Sequence, residues 1–158
     1  MIGLSAARFY HAAIGAVVVA TIGTACLGVT RASAQAGAPD YAALMAAPDR
    51  SDADRQADKR RDPVPFLAFA GLRPGMKVLD MGAGAGYSTE LDARAVGPTG
   101  TVYGQNSPDL SERGKAAFAA RLATPAMKNS VGLSRPFDDP LPADVHRSRC
   151  DHFSVLLS

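Results

Sequence analysis

The distribution of apolar and polar residues divides the chain into segments of different character. From Ala12 to Val29 there is no charged residue, and the stretch is rich in alanine and valine. Charge and alanine then alternate through Gln35–Asp62. Here Asp40–Ala47 suits a short helix ended by Pro48, and Ser51-Asp52-Ala53-Asp54 suits a capping-box start to a second. Acids at its beginning and Lys59, Arg60 and Arg61 at its end complement the helix dipole, so the basic triplet reads as a helix terminus rather than a binding patch. The apolar run Val64–Leu72, with Phe66, Leu67 and Phe69, is expected to be a helix packed on a sheet. Arg73-Pro74-Gly75 turns the chain into Met76–Met81, a short apolar strand of the buried parallel type. Tyr87–Val96 is predicted helical and stopped by Gly97-Pro98, and Thr101–Gly104 is predicted as a second strand. Ser107-Pro108 suits the opening of the next helix, with Leu110, Ala117, Phe118 and Leu122 on its apolar face and Pro125 at its end. Ser130–Leu133 and Phe153–Leu157 are the expected third and fourth strands. Strands alternating with helices predict an α/β fold with a parallel sheet.

Composition adds the compartment. Arg8 and His11, the uncharged run and Ala32-Ser33-Ala34 together have the form of a signal peptide cut after Ala34, with a retained membrane anchor as the other reading. The expected organisation is therefore a signal over 1–34, a helical segment over 35–72 and an α/β domain over 73–158. The expected location is outside the cytoplasm, in the periplasm, with membrane contact only through an uncleaved signal. Removing Arg8 and Arg31 takes the basic count from 17 to 15, equal to the 15 acidic residues, so no footprint for nucleic acid is expected. Cleavage also removes Cys26 and leaves Cys150 as a single thiol without an internal partner. His146 and His152 are isolated, and no metal site is expected.

The stretch Val78-Leu79-Asp80-Met81-Gly82-Ala83-Gly84-Ala85-Gly86-Tyr87 carries the chemistry. Glycines at alternate positions after a strand let the backbone turn sharply and approach a ligand with no side chain between them. A dinucleotide fingerprint would require glycine at 87, where Tyr87 stands, and this disfavours a nicotinamide-dependent oxidoreductase. Asp80, two residues before the first glycine, suits a cationic ligand better than a pyrophosphate.

On these residues the chain resembles the Rossmann-like S-adenosylmethionine-dependent methyltransferase superfamily. Residues 73–106 look like its first strand, cofactor loop, first helix and second strand, and about residues 40 to 145 are similar to exported proteins of this type. The resemblance implies S-adenosylmethionine as cofactor, with Asp80, Gly82, Gly84 and Gly86 along its methionine part. Asn106, or Gln105 beside it, stands where the family usually has an acid for the ribose hydroxyls. An amide there gives up the stronger charge-assisted bond. Asp138, beside Phe137, is the best match for the adenine position, and Asp138-Asp139 reads equally as a solvated turn before Pro140.

Two features depart from that pattern. Asp92 shares a helical stripe with Ser88, Leu91 and Ala95, which should face the sheet, so either the helix is rotated or an unpaired acid is buried at a cost. The superfamily has seven strands, with its acceptor pocket and most catalytic groups at or beyond the fourth. The expectation here is an incomplete sheet of three to four strands with no assignable catalytic residue. Tyr87, Tyr103, His146 and His152 are chemically able, but no spacing singles one out. The leading expectation is a methyltransferase inactive at this length, with an unidentified methyl acceptor. The alternative is a non-enzymatic exported α/β module that keeps the scaffold without catalysis.

Overall fold

In the computed structural model the described residues are 37–147 and 153–157. The expected signal, its cleavage point, Cys150 and His152 lie outside them, as does the side chain of His146.

Three helices lead into the sheet: α1 (Tyr41–Met45), α2 (Asp52–Arg61) and α3 (Pro63–Ala70). Each is punctuated by local chemistry. Asp40 caps α1 by accepting from the Ala43 N–H, and Ser51 caps α2 by accepting from the Asp54 N–H. The capping box is only half formed, because the Asp54 carboxylate accepts from the Ser51 hydroxyl instead of reaching the backbone. Asp62 ends α2 at φ 42°, a left-handed conformation that aspartate tolerates better than most residues, and Pro63 then opens α3.

The sheet has four parallel strands in the order β3-β2-β1-β4: β1 (Lys77–Met81), β2 (Thr101–Asn106), β3 (Ser130–Ser134) and β4 (Phe153–Leu157). Parallel neighbours require crossovers, which α4 (Tyr87–Val96), α5 (Glu112–Leu122) and α6 (Ala143–Arg147) supply. In register, Asp80 stands beside Gly104 on one flank and Leu156 on the other, and Gln105 lies between Met81 and Leu133. The α/β class and the helix Tyr87–Val96 are as the periodicity predicts.

The core joins Leu67 and Leu72 to Val78, Leu91, Val96 and Val102, with Phe118 and Met127 closing it. Phe118 of α5 fits because β2 and β3 present glycine beneath it. A Cβ on Gly104 would stand 2.6 Å from the Phe118 ring, and one on Gly132 would stand 2.6 Å from Leu122 and 3.1 Å from the same ring. Both are closer than real carbon contacts allow.

Three expectations need correction. Ser107-Pro108 does not open a helix: the Leu110 N–H bonds back to the Ser107 carbonyl as a turn, and α5 begins after Ser111, whose hydroxyl accepts from the Gly114 N–H. The second strand runs two residues further than expected, because Gln105 and Asn106 still find partners in β1 and β3. In α3 only Pro63 and Leu67 are buried, and Phe69 is 92% exposed, so this helix does not pack all its aromatic residues on the sheet.

Candidate active site

The glycine loop leaves β1 at Met81 and enters α4 at Tyr87. Gly82, Gly84 and Gly86 adopt φ of 78°, 56° and 84°, a region that side-chain-bearing residues rarely enter. The bend is fixed from β2. The Gln105 carbonyl accepts from the N–H groups of both Gly82 and Ala83, at 3.0 and 2.9 Å, and the Gln105 side chain spans from the Gly82 N–H to the Arg135 carbonyl. Asn106 pairs with Gly84 like a neighbouring strand, accepting from its N–H at 2.8 Å and donating to its carbonyl at 3.1 Å. A carboxylate at this position could not donate that second bond.

The glycines differ in what surrounds them. At Gly84, half-buried, a Cβ would meet only the Gly82 carbonyl oxygen at 3.9 Å, so the space above it is open. At Gly86 a Cβ would stand 2.9 Å from the Phe118 ring and 3.0 Å from the Arg121 side chain, so this glycine lets α5 approach the loop. The start of α4 has no side-chain cap, and its first N–H groups have no acceptor within the helix, which gives the loop a positive dipole end.

The other expected positions are spread around this bend. Asp80 is fully buried on the face covered by α4, where its carboxylate accepts from the Thr89 hydroxyl at 2.6 Å. Asn106 lies on the loop itself. Asp138 is exposed in the turn after β3, and no hydrogen bond joins it to the loop among the described residues. Tyr87 does not offer a free hydroxyl: it donates to Asp58 of α2 at 2.6 Å. Burial and that bond push its pKa up to about 12. Asp58 also receives both terminal nitrogens of Arg50.

A second polar hub went unseen in the sequence pattern. Arg121 of α5 donates to the Ala85 carbonyl in the loop, to both carboxylate oxygens of Asp54 and to Glu90. Glu90 in turn accepts from Arg94, which binds Asp49 through both of its terminal nitrogens. Burial alone would raise Asp54, but the bonds from Arg121 and Ser51 hold it below the ordinary carboxylate value. The helices before the sheet are thus tied by charge to the residues flanking the loop. The signal available in the sequence was only an excess of acids and arginines at these places.

Asp92 settles the question posed by its stripe. The helix is not rotated. Asp92 is fully buried, and among the described residues neither carboxylate oxygen has a hydrogen-bond partner. Burial, and secondarily the charge of Asp80, raises its pKa well above the usual carboxylate value. It borders a cavity of about 310 Å3 between α3 and α4.

Comparison with known proteins places these features. Residues 63–126 match the family described as protein-L-isoaspartate(D-aspartate) O-methyltransferase. Among similar curated proteins, an arsenite methyltransferase of Halobacterium salinarum is 43% identical over 53 residues, 33% of this chain and 14% of its own length. The ubiquinone/menaquinone biosynthesis C-methyltransferase UbiE of Burkholderia cenocepacia is 54% identical over 37 residues, 23% of this chain and 15% of its own. The crystal structure of a SAM dependent methyltransferase from Aquifex aeolicus is similar at 30% identity and a TM-score of 0.42, over 51% of this chain and 41% of the other. The chain therefore spans about one seventh of the length of the curated relatives it matches.

Proposed function

We propose that the glycine loop binds S-adenosylmethionine and that the chain is the cofactor-holding part of a methyltransferase, a reading supported by the match of residues 63–126 to a methyltransferase family. The observation that carries this reading is Gly84: its backbone is left-handed, and the space a side chain would fill there is open. In this reading Gly82 and Gly84 admit the methionine part, and the uncapped N–H groups of α4 receive its carboxylate. Gly86 acts one step removed, by letting α5 support the bend. Asp80, buried behind the loop, provides negative potential for the cationic part of the cofactor while Thr89 fixes its carboxylate. Asn106 holds the loop at Gly84 through its amide oxygen and one N–H, which leaves the second N–H for a ribose hydroxyl, and Asp138 meets the adenine edge. The bound cofactor would supply an electrophilic methyl group on sulfur.

Protein of the mature form, beginning at Gln35, titrated calorimetrically with S-adenosylhomocysteine tests this. Saturable binding is expected, weakened at least about tenfold by Gly84→Val, because the added side chain occupies the space the methionine part would fill. A folded protein that gives no heat and no thermal shift overturns it.

One observation favours the reading in which the scaffold binds without catalysing. Tyr87, the titratable group that follows the loop directly, is held as a donor to Asp58 and cannot act as a base near neutral pH. Binding of the nucleoside without methyl transfer to any small acceptor would support this module reading. Export to the periplasm, with the signal cut after Ala34, rests on the first 34 residues. Mass spectrometry of the N-terminus of protein recovered from that compartment tests it, Gln35 being the expected first residue.

A further inference from the structure

The cavity between α3 and α4 sets an unmet polar demand in an apolar wall. Pro63, Phe66, Leu67 and Leu91 line it, and Asp92 borders it with both carboxylate oxygens shielded from solvent. Asp80 has Thr89, Asp54 has Arg121, and Glu90 has two arginines. Asp92 has two buried oxygens and no donor for either. An uncompensated buried carboxyl is costly to the fold, and such a group beside a preformed cavity is what a ligand site requires.

We propose that this cavity binds a small organic cation, a primary ammonium on an aromatic or branched alkyl body, toward which the bordering Asp92 side chain turns so that the N–H groups satisfy its carboxylate. The volume of about 310 Å3 stands at the lower end for small-ligand sites. An ammonium carries three donors and no acceptor, which matches an acceptor pair with nothing to receive. The aromatic face of Phe66 and the alkyl walls of Leu67 and Leu91 suit its body. Arg61, the cation already at this cavity, is exposed and lies over the Tyr87 ring, 5.0 Å from its centre, and it makes no bond to Asp92.

Among the described residues, the charged and titratable groups around Asp92 are few. Asp80 comes from β1, Arg61 from the end of α2, and Tyr87 from its own helix. Helix α3 contributes no titratable group, and the described side chains of β4, Val155 and Leu156, are apolar. Without ligand, burial favours the protonated carboxyl over the anion. Binding then exchanges that proton for the ammonium. The carboxylic acid and the ammonium ion become an ion pair, and one proton passes to the buffer. Affinity therefore rises with pH until the amine itself loses its charge. Gly82 and Gly84 do not line this cavity, and it meets the proposed cofactor site only at Tyr87 and Ser88, where α4 begins.

Benzylammonium, with benzyl alcohol as a neutral probe of the same shape, tests the proposal on the full mature chain by calorimetry and amide NMR. Benzylammonium is expected to bind about tenfold or more tighter than the alcohol, the scale of one charge-assisted hydrogen bond. Its affinity should rise with pH above the ordinary carboxyl range, with proton release seen as a dependence of the heat on buffer. Shifts should centre on Leu67, Leu91 and Asp92. Asp92→Asn and Asp92→Leu should bring benzylammonium down to the level of the alcohol while leaving S-adenosylhomocysteine binding as it was. Equal binding of the two probes, binding of neither, or variants that bind benzylammonium as the parent does would overturn the proposal and leave Asp92 a neutral acid in the core.

Discussion

At the scale of single residues, Asp92 is the clearest source of instability. Its carboxyl is fully buried without a donor, and its pKa is raised by burial and by Asp80. In the fold it holds a proton that it loses in the unfolded chain above the ordinary carboxyl value of about 4. The folded form therefore binds more protons than the unfolded one, and stability falls as pH rises through that interval. Asp92→Leu is expected to raise stability at neutral pH by about 1–3 kcal/mol, the desolvation cost of an unpaired polar group. Asp92→Asn, which cannot ionise, should gain on the parent steadily as pH rises from about 4. Urea denaturation at several pH values measures both, and a pH-independent difference between parent and Asn variant would contradict the buried protonated acid. Gly104 shows the opposite case, where the absence of a side chain lets Phe118 reach the sheet. Gly104→Ala should cost about 1–3 kcal/mol through overpacking, read from the same denaturation curves. Phe118→Leu in the same chain should return part of that loss.

At the scale of elements, the contacts that matter are those tying the leading helices to the loop. Arg121 joins α5 to α2 through Asp54, to α4 through Glu90 and to the loop through the Ala85 carbonyl. Removing one partner from such a largely buried group strands the others. Arg121→Met is expected to destabilise by about 3 kcal/mol and to loosen the loop, seen as faster amide exchange at Ala83–Gly86. Unchanged exchange would confine Arg121 to stability alone. The helix Tyr87–Val96 was legible because its apolar stripe and the Gly97-Pro98 stop are local. The start of α5 was not, since Ser107-Pro108 and Ser111 carry similar capping chemistry, and the choice between them falls to packing of Leu110 on Gly114. Within the loop, the conformational need for Gly82 and Gly84 could be read from spacing. The different roles of Gly84 and Gly86 could not, because they depend on Phe118 more than thirty residues away.

At the scale of the molecule, the described sheet is parallel and ordered β3-β2-β1-β4, with β1 and β2 at its centre carrying the loop and its clamp. The strand–helix alternation was written in the periodicity, and the strand order follows from pairing that no local pattern encodes. The Arg121 hub is hidden from local pattern for the same reason: it joins residues up to 67 positions apart. The arginine hubs set the acid response of the whole fold. Asp49, Asp54 and Asp58 are all held below the ordinary carboxylate value by arginine partners. For Asp49 the Arg94 bond is the main cause, whereas for Asp54 and Asp58 the arginine bonds outweigh a burial effect of opposite sign. Their contribution is present above about pH 4 and lost as pH falls through their lowered values. The leading helices should therefore release on acidification below about pH 4, a loss that far-ultraviolet circular dichroism and proteolysis before Pro63 would register. Helices that stay docked at about pH 2 would contradict tethering by charge.

The functional reading stands or falls with the bend Gly82–Gly86 as a nucleoside site held open by Asn106. Two-dimensional amide NMR of the labelled protein, with and without S-adenosylhomocysteine, addresses it directly, because the Asn106 side-chain amide and the N–H groups of Ala85, Tyr87 and Ser88 each report separately. Saturable shifts are expected on Gly82–Ser88 and on the Asn106 side chain, with Leu67, Leu91 and Asp92 unaffected. Shifts confined to other surfaces, or none in a protein whose spectrum is folded, would contradict a nucleoside site at this bend.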